Sequence, residues 1–389
     1  MNSRLLIRSR NALNILRRGI RQRIVEPKEI IKEEPINLEN LFDERVFQIE
    51  QIDDKNKPLK EIDFSHIPIE RQAVIFCPGQ GAQTVGMLEK TKKENPKSLK
   101  LLDEASQILG YNLQEIIDNG PSTKLNQTIY TQPAIVVSSL IAYENLKILR
   151  PDIEETLTHV AGFSVGEYTA AVISGILSFE KALEIVKARA EAMHKCCQFT
   201  RSMMIVVSTK ASSRLEDLMR DSNAFATEVN GVPLCEIASF LFCGHKVIGM
   251  SEDAYKFFSK YASDYDVTLG KVLQVEGAFH TRLMSKAVTE IKPLFEDLKL
   301  EMPFCNVYSN VTGKVMERKY NSIRWPLLNQ ICNPVKWETI QQYIYRKNQK
   351  VNGKHLFPMY FEVGPGKSLG AMWARTSKKA YQNYRHISC

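Results

Sequence analysis

Residues 161–175 have the sequence AGFSVGEYTAAVISG, with a G-x-S-x-G motif at Gly162, Ser164 and Gly166. An apolar run over 156–162 predicts a buried strand before the motif, and the residues after Ser164 predict a helix to Ile173. A sharp strand-to-helix turn needs glycine because neighbouring backbone approaches it closely, and it leaves the serine hydroxyl exposed. We therefore predict that Ser164 is a nucleophile. The alternative is a glycine-flanked serine that only caps a helix.

Around this motif, apolar runs alternate with helical segments, which predicts an α/β fold with a parallel sheet. Ala73–Cys77 (AVIFC) has the composition of a buried strand. Helices are predicted over 131–149 and 179–197, with Ser178 as the N-cap of the second. The core is expected to comprise residues 71–199 and 276–389.

Residues 200–275 have a different pattern. Their predicted order is β-α-β-β-α-β, which is typical of a ferredoxin-like domain. Within it, helices are expected over 212–221 and 251–265. We therefore predict a small domain inserted into the α/β core, with the functional cleft between the two.

A serine nucleophile needs a base, and His280 is the best placed of the seven histidines, where the chain leaves the predicted small domain. The alternative for His280 is a core or surface histidine. No aspartate follows it in an obvious triad context, so an amide or carbonyl partner competes with a full triad. The loop 79–83 (GQGAQ) is either a tight turn or a source of a backbone N–H for an oxyanion, and no Gly-Lys-Ser/Thr follows to make it a phosphate loop.

Arg189 borders the apolar stripe of the helix predicted over 179–197. An arginine against a buried face is costly unless it is paired. One interpretation is a structural ion pair or a side chain that reaches solvent. The other is a guanidinium that binds a substrate carboxylate through two hydrogen bonds, which lysine cannot do.

The charge of the chain is concentrated at its beginning. The 389 residues have a net charge of +8, and seven arginines with no acidic residue lie in the first 25 residues. This arginine-rich, amphipathic segment is typical of a mitochondrial transit peptide; the alternatives are a disordered basic tail and a surface-binding helix. Because the rest of the chain is close to neutral, nucleic-acid binding is not expected. Residues 26–70 are predicted to be a polar connector.

The remaining composition excludes several other classes. No apolar run is long enough for a transmembrane helix. The eight cysteines include no CxxC pair, so neither a zinc site nor a disulfide framework is expected.

Several motifs in the same order resemble those of the malonyl-CoA:acyl carrier protein transacylases. The resemblance extends from about residue 73 to residue 374, and Phe163 before the serine is as in the mitochondrial branch of that family. The fold that it implies is an α/β-hydrolase-like core with an inserted ferredoxin-like domain. The motifs are FCPGQGAQTVGM (76–87), TQPAI (131–135), AGFSVGEYTAAVISG (161–175), GAFHTRLM (277–284), NQICNPVKW (329–337) and EVGPGKSLGAM (362–372).

The resemblance also implies roles for individual residues. Ser164 matches the nucleophile, His280 the general base, and Arg189 the arginine that binds the malonyl carboxylate. The site is completed by backbone and neighbouring groups: the N–H groups of Gln83 and Val165 match the oxyanion hole, the backbone of Gln330 helps to orient the histidine, and Phe279 crowds the α-carbon of the acyl group and thereby disfavours methylmalonyl.

The implied reaction transfers malonyl from malonyl-CoA to the phosphopantetheine thiol of acyl carrier protein, in mitochondrial type II fatty acid synthesis. No cofactor, metal or nucleic acid is implied, and a monomer in the mitochondrial matrix is expected. Arg375, Lys378 and Lys379 are candidates for contacts with an acidic carrier protein; the alternative is a solvated charged tail. Two rival functions are a serine hydrolase or thioesterase, and an organellar RNA-binding protein.

Overall fold

The computed structural model describes Phe42 and residues 61–389. The predicted transit peptide (1–25) and most of the predicted connector (26–70) lie outside the described residues. Residues 61–70 contain no helix or strand and pack against the sheet. The N–H of Ile62 donates to Asn306 Oδ1 (2.9 Å), and Asn306 Nδ2 donates back to the Ile62 carbonyl (3.1 Å).

The strands of the described residues, numbered in chain order, are β1 (Ala73–Cys77), β2 (Leu157–Gly162), β3 (Ser202–Thr209), β4 (Cys235–Phe242), β5 (His245–Ser251), β6 (Val267–Val272), β7 (Asn306–Tyr308), β8 (Val335–Lys336), β9 (Gln349–Val351), β10 (Lys354–Leu356), β11 (Met359–Val363) and β12 (Tyr384–Ile387).

The α-helices, numbered in the same way, are α1 (Glu89–Glu94), α2 (Lys100–Leu109), α3 (Leu113–Asn119), α4 (Ser122–Leu125), α5 (Thr128–Leu149), α6 (Ile153–Thr156), α7 (Gly166–Ile173), α8 (Phe179–Cys197), α9 (Leu215–Glu228), α10 (Glu252–Tyr261), α11 (Ser285–Glu296), α12 (Tyr320–Asn329), α13 (Trp337–Tyr345) and α14 (Ser368–Thr376). Short 3-10 helices cover Pro96–Leu99, Ala262–Tyr265, Arg282–Met284 and Ala380–Asn383.

The first sheet has the strand order β12-β11-β1-β2-β7, and all four of its pairings are parallel. Its central strand β1 is buried on both faces, which explains its unbroken apolar sequence. Ala73, Ile75 and Cys77 join one apolar cluster with α5, α7 and α8, while Val74 and Phe76 join another with α13 and α14. The predicted α/β class with a parallel sheet is confirmed.

The second sheet has the order β6-β3-β5-β4-β8. Its first four strands pair antiparallel and, with α9 and α10, follow the element order β-α-β-β-α-β. The fifth strand, β8, lies outside residues 200–275 and pairs parallel with β4. This strand is not predictable from the sequence, because two residues carry no detectable alternation.

Several helix boundaries differ from the predictions. Helix α5 begins at Thr128 rather than at residue 131, and α9 spans Leu215–Glu228 rather than 212–221. The hydroxyls of Ser212 and Ser213 donate to Asp266, so these serines join the loop and do not begin the helix. The helix expected over 251–265 ends at Tyr261 and continues as a 3-10 turn. The predicted cap of α8 is confirmed, since Ser178 Oγ accepts from the N–H of Lys181 (3.2 Å).

Two further features concern the state of the cysteines and the length of the apolar helices. All eight cysteines are free thiols; Cys243 is exposed and the others are buried or half-buried. Among the residues that the structure describes, no helix is both long and apolar enough to cross a bilayer.

Two glycines let the start of α7 pack closely against the ends of β1 and β2. A Cβ on Gly162 would lie 2.0 Å from the carbonyl carbon and oxygen of Gly166, and one on Gly166 would lie 2.3 Å from the carbonyl oxygen of Cys77. These contacts are to backbone, which cannot move aside as a side chain can. The turn at Ser164 therefore requires both glycines.

We predict that Gly162→Ala lowers the free energy of unfolding by about 3 kcal/mol or more, because the new methyl group overlaps backbone. Urea unfolding monitored by circular dichroism measures this loss. Gly353→Ala is the control: its φ is +78° but no atom lies within 4 Å of the new Cβ, so about 1 kcal/mol of backbone strain is expected. Equal losses in the two variants would contradict the close-packing argument.

Candidate active site

Ser164 lies two residues after the end of β2 and has a φ of +53°, in the left-handed region. Five non-glycine residues of the described chain have positive φ, and three of them are asparagine or aspartate, which tolerate it best. The other two are Ser164 and His280, whose φ is +61°. Backbone strain of this kind persists only where the surroundings enforce it, and it concentrates at functional sites.

Asn310 holds the strained turn in place. The N–H of Ser164 donates to Asn310 Oδ1 (2.7 Å), and Asn310 Nδ2 donates to the carbonyl of Gly162 (2.6 Å). The N–H of Asn310 itself donates to Glu167 Oε1 (2.7 Å). One amide thus satisfies backbone groups on both sides of the turn, from a position just beyond the neighbouring strand β7.

Ser164 and His280 are in direct contact. Ser164 Oγ lies 2.7 Å from His280 Nε2, and His280 Nδ1 lies 2.7 Å from the carbonyl oxygen of Gln330. Since a carbonyl oxygen can only accept, Nδ1 carries the proton and Nε2 is left to accept from the serine hydroxyl. Within residues 61–389, no carboxylate bonds to His280. Of the two partners that the sequence left open, the structure contains the carbonyl.

His280 is electrically neutral in the site. Burial and, second to it, the positive charge of Arg189 lower its pKa to about 3, although the bond to the Gln330 carbonyl acts in the opposite direction. The imidazole is therefore unprotonated at neutral pH. It can take the serine proton without first losing one of its own.

Arg189 projects from α8 into the same site and is only 1% exposed. Its Nη2 donates to Ser164 Oγ (3.2 Å) and to Gln330 Oε1 (3.0 Å), and its Nη1 donates to Gln132 Oε1 (2.5 Å). Its Nε is buried without an acceptor among the described residues. Neutral oxygens thus surround the guanidinium, which leaves donors available for an anion.

The nearest acidic group does not neutralise Arg189. Glu167 is fully buried, and its burial raises its pKa to about 8, although the Asn310 N–H and the charge of Arg189 act to lower it. The Glu167 carboxyl is therefore mostly protonated at pH 7. The site keeps a net positive charge next to the serine oxygen.

The loop after β1 packs against the Ser164 turn. A Cβ on Gly79 would lie 2.5 Å from the Phe163 carbonyl oxygen, which shows how close the two segments are. The side chain of Gln83 holds the loop: Oε1 accepts from the N–H of Gly81 (2.8 Å) and Nε2 donates to Asn126 Oδ1 (2.8 Å). In residues 61–389, neither the backbone N–H of Gln83 nor that of Val165 donates a hydrogen bond, so both are free to donate to an oxyanion.

Gln330 contacts Ser164, His280 and Arg189. Besides its carbonyl bond to His280 and its side-chain bond from Arg189, its Nε2 donates to the carbonyl of Ser164 (3.1 Å). Phe279 precedes His280 and is buried. The structure therefore brings together Ser164, His280, Arg189 and Gln330. Arg375, Lys378 and Lys379 are exposed on the surface.

Sequence reasoning missed three residues of the site: Asn310, Glu167 and Gln132. Gln132 lies within the TQPAI motif and Glu167 directly follows the G-x-S-x-G motif. Both belong to quoted motifs, but neither was predicted to have a role in the site. Asn310 follows a strand end at the same edge of the sheet as Ser164. This position at the carboxyl end of a parallel strand is the sequence feature that could have indicated a role for Asn310.

Comparison with known proteins identifies relatives over most of the chain. An acyl transferase domain model matches residues 74–229. The mitochondrial malonyl-CoA-acyl carrier protein transacylase of Homo sapiens is 36% identical over 317 residues, which cover 81% of this chain and 80% of the relative. A probable mitochondrial malonyl-CoA-acyl carrier protein transacylase of Drosophila melanogaster is 35% identical over 334 residues, with coverage of 85% and 86%.

A solved structure is similar in fold. It contains a type II PKS acyl carrier protein in complex with its malonyl-transacylase; the match has a TM-score of 0.69 and 25% identity, and it covers 81% of this chain and 94% of that chain. The sequence relatives each exceed 30% identity over most of both chains. By these matches, the chain belongs to the malonyl-CoA-acyl carrier protein transacylase family.

Proposed function

We propose that this acyltransferase moves a malonyl group from malonyl-CoA to the phosphopantetheine thiol of acyl carrier protein, through a malonyl ester on Ser164. The observation that carries the proposal is the buried guanidinium of Arg189, 3.2 Å from the Ser164 oxygen and without an ionised partner in contact. A Ser–His pair alone fits many acyl substrates. A buried cation beside it selects an acyl group that ends in a carboxylate.

In the first half-reaction, Ser164 Oγ attacks the thioester carbonyl of malonyl-CoA while His280 Nε2 takes its proton. The backbone N–H groups of Gln83 and Val165 stabilise the oxyanion of the tetrahedral intermediate. The C–S bond then breaks, and the protonated imidazole returns the proton to the leaving CoA thiolate. Gln330 holds the imidazole through its carbonyl, so that Nε2 faces Ser164 throughout.

In the second half-reaction, the phosphopantetheine thiol gives its proton to His280 and attacks the malonyl ester. The C–O bond of the ester then breaks, the protonated imidazole returns the proton to Ser164 Oγ, and the carrier thioester and free Ser164 result. This chemistry needs no metal or redox cofactor, because malonyl-CoA supplies the acyl group and His280 moves the proton. The same site must keep water from the ester, and burial of Ser164 favours that. Phe279 is proposed to crowd the α-carbon and disfavour methylmalonyl.

The proposed partner and location are supported by the relatives. The similar malonyl-transacylase structure contains an acyl carrier protein, and the human and fly relatives are named as mitochondrial. We propose the mitochondrial matrix as the location and type II fatty acid synthesis as the route. Exposed Arg375, Lys378 and Lys379 are candidate contacts for the acidic carrier. A monomer is the proposed state.

We also propose a two-part architecture: a hydrolase-like core (71–199 and 276–389) and a ferredoxin-like insertion (200–275). The strand order β6-β3-β5-β4 supports the second part, because in that domain the fourth strand lies beside the first and the third beside the second. The β-α-β-β-α-β element order supports it further.

The proposed intermediate is tested by mass spectrometry of the protein after incubation with malonyl-CoA. We expect a malonyl adduct on Ser164, and none in Ser164→Ala. Addition of holo acyl carrier protein should remove the adduct and malonylate the carrier. Release of free malonate with no transfer to the carrier would instead identify a thioesterase.

Arg189→Ala is expected to lower malonyl loading of Ser164 by about a hundredfold or more, because it removes the charge that binds the carboxylate. Loading by acetyl-CoA should be unchanged or faster. Acyl-enzyme formation with the two donors measures this difference. Lys187→Ala removes a cation from the same helix outside the site, and is expected to change neither rate. Equal losses with both donors in Arg189→Ala would refute the carboxylate role.

The neutral state of His280 predicts an unusual pH profile. Between pH 7 and 5, the single-turnover rate of Ser164 malonylation should change by less than about twofold, because the imidazole stays unprotonated. A histidine of ordinary pKa would lose roughly 20- to 30-fold. Glu167, with its pKa raised to about 8, stays protonated over this range and does not interfere. A rate that follows a pKa near 6.5 would contradict the assignment.

The lowered pKa of His280 also makes the stability of the fold depend on pH. Below about pH 6.5 the unfolded chain binds a proton that native His280 does not, so His280 makes folding less favourable as the pH falls towards 3. Rates are therefore compared only where circular dichroism shows the folded protein.

A further inference from the structure

Thr128, at the first turn of α5, connects the two glutamines that lie on either side of it. Its hydroxyl accepts from Gln132 Nε2 (2.7 Å) and donates to Gln80 Oε1 (2.9 Å). Gln132 Oε1 in turn accepts from Arg189 Nη1 (2.5 Å). Thr128 and Gln132 are both fully buried. We call this series Gln80–Thr128–Gln132–Arg189 the hydroxyl relay.

The hydroxyl relay has one consistent direction. An arginine can only donate, so Gln132 must present its oxygen to Arg189 and its NH₂ group to Thr128. Thr128 Oγ1 must then accept that bond, and its own proton goes to Gln80. Reversal of the Gln132 amide would place NH₂ against a guanidinium, with two donors facing each other. The Thr128 hydroxyl is thus the group that makes the required orientation of Gln132 favourable.

The other contacts of this region do not replace the hydroxyl. Gln132 Nε2 also lies 3.6 Å from Met193 Sδ, but a thioether is a weak acceptor. The N–H of Thr128 donates to Glu276 Oε2 (3.0 Å), which His194 Nδ1 also approaches (3.2 Å). That bond involves the backbone of Thr128, so a side-chain substitution leaves it intact.

We propose that Thr128 is a positioning residue for substrate selection: its hydroxyl fixes the amide of Gln132, and Gln132 fixes the Arg189 guanidinium that receives the acyl carboxylate. The inference rests on the proposed malonyl transfer and deepens it. Thr128 touches no reacting atom. Its loss should affect donors that carry a carboxylate and spare those that do not.

The oxyanion loop has anchors of its own, although Gln80 belongs to it. The Gln83 side chain bonds to the Gly81 N–H and to Asn126, and neither bond involves Thr128. The Ser164–His280 contact and the His280–Gln330 bond are also independent of the hydroxyl relay. Acylation by a neutral ester should therefore not require Thr128.

The test compares two acylation reactions in Thr128→Val, which has nearly the same shape as threonine but no hydroxyl. The rate of acylation by malonyl-CoA depends on carboxylate binding by Arg189. The burst rate with p-nitrophenyl acetate, which has no carboxylate, depends on Ser164 and His280 alone. We expect kcat/KM for malonyl loading to fall by about tenfold to a hundredfold, the range for a buried donor, here the Gln132 NH₂ group, that is left without its acceptor. The burst rate with the neutral ester should stay within about twofold.

Three further variants separate this role from a general loss of structure. Thr128→Ser keeps the hydroxyl and should restore most malonyl loading. Thr131→Val removes a buried hydroxyl from the same helix, one that donates to the Leu125 carbonyl outside the relay, and should leave the ratio of the two reactions unchanged. If Thr128→Val does not fold, Thr128→Ala provides the same comparison without the added methyl group.

The outcomes are distinct. A selective loss of malonyl loading in Thr128→Val, with rescue in Thr128→Ser, supports the proposal. Equal losses in both reactions, or no loss in either, would overturn it while wild-type malonylation of Ser164 leaves the proposed function standing. A wild-type protein that malonyl-CoA does not acylate would remove the proposed function itself.

Discussion

A positive charge buried beside the nucleophile is the constraint from which the rest of the site follows. Arg189 is 1% exposed and lies within hydrogen-bond distance of Ser164 Oγ. Burying a guanidinium is costly unless oxygen atoms surround it, and two glutamine side chains, Gln132 and Gln330, supply them. Both glutamines are neutral, and we propose that the malonyl carboxylate supplies the negative charge that matches the guanidinium. Its charge also lowers the pKa of His280 and so helps to keep the imidazole unprotonated, the form that can accept the serine proton.

The parallel sheet positions Ser164 and the segments that pack around it. β1, β2 and β7 are neighbours in one parallel sheet, and their carboxyl ends lead to Gln83, Ser164 and Asn310. Such ends meet at one edge, where open α/β sheets place their sites. Ser164 and His280 both have left-handed backbone, and each is held by a bond from its own N–H: to the Asn310 side chain for Ser164 and to the Ile331 carbonyl (3.1 Å) for His280. The strain at both residues is thus balanced by specific partners.

The sequence was sufficient where a local pattern determines the structure. The strand Ala73–Cys77 was predicted to the residue, because an apolar run buried on both faces and ended by Pro78 has few alternatives. The cap at Ser178 and the turn at Ser164 follow equally local rules. The order of motifs then indicated the family, which the relatives confirmed.

Non-local polar contacts could not be predicted in the same way. Asn310, Gln132 and Thr128 are common residue types without a local pattern, and their roles depend on partners far along the chain. Asn310 lies 146 residues from Ser164, and Gln132 lies 57 residues from Arg189. The two-residue strand β8 forms only because β4 is already beside it. Each of these features requires the assembled fold before it can be recognised.

The account is tested most directly by a crystal structure of the malonylated protein. We expect the ester on Ser164, with its carbonyl oxygen within hydrogen-bond distance of the Gln83 and Val165 N–H groups. Two guanidinium nitrogens of Arg189 should donate to the malonyl carboxylate, in place of the Arg189 contact with Ser164 Oγ. A carboxylate that points into solvent, with Arg189 still bonded as in the free protein, would contradict the central claim.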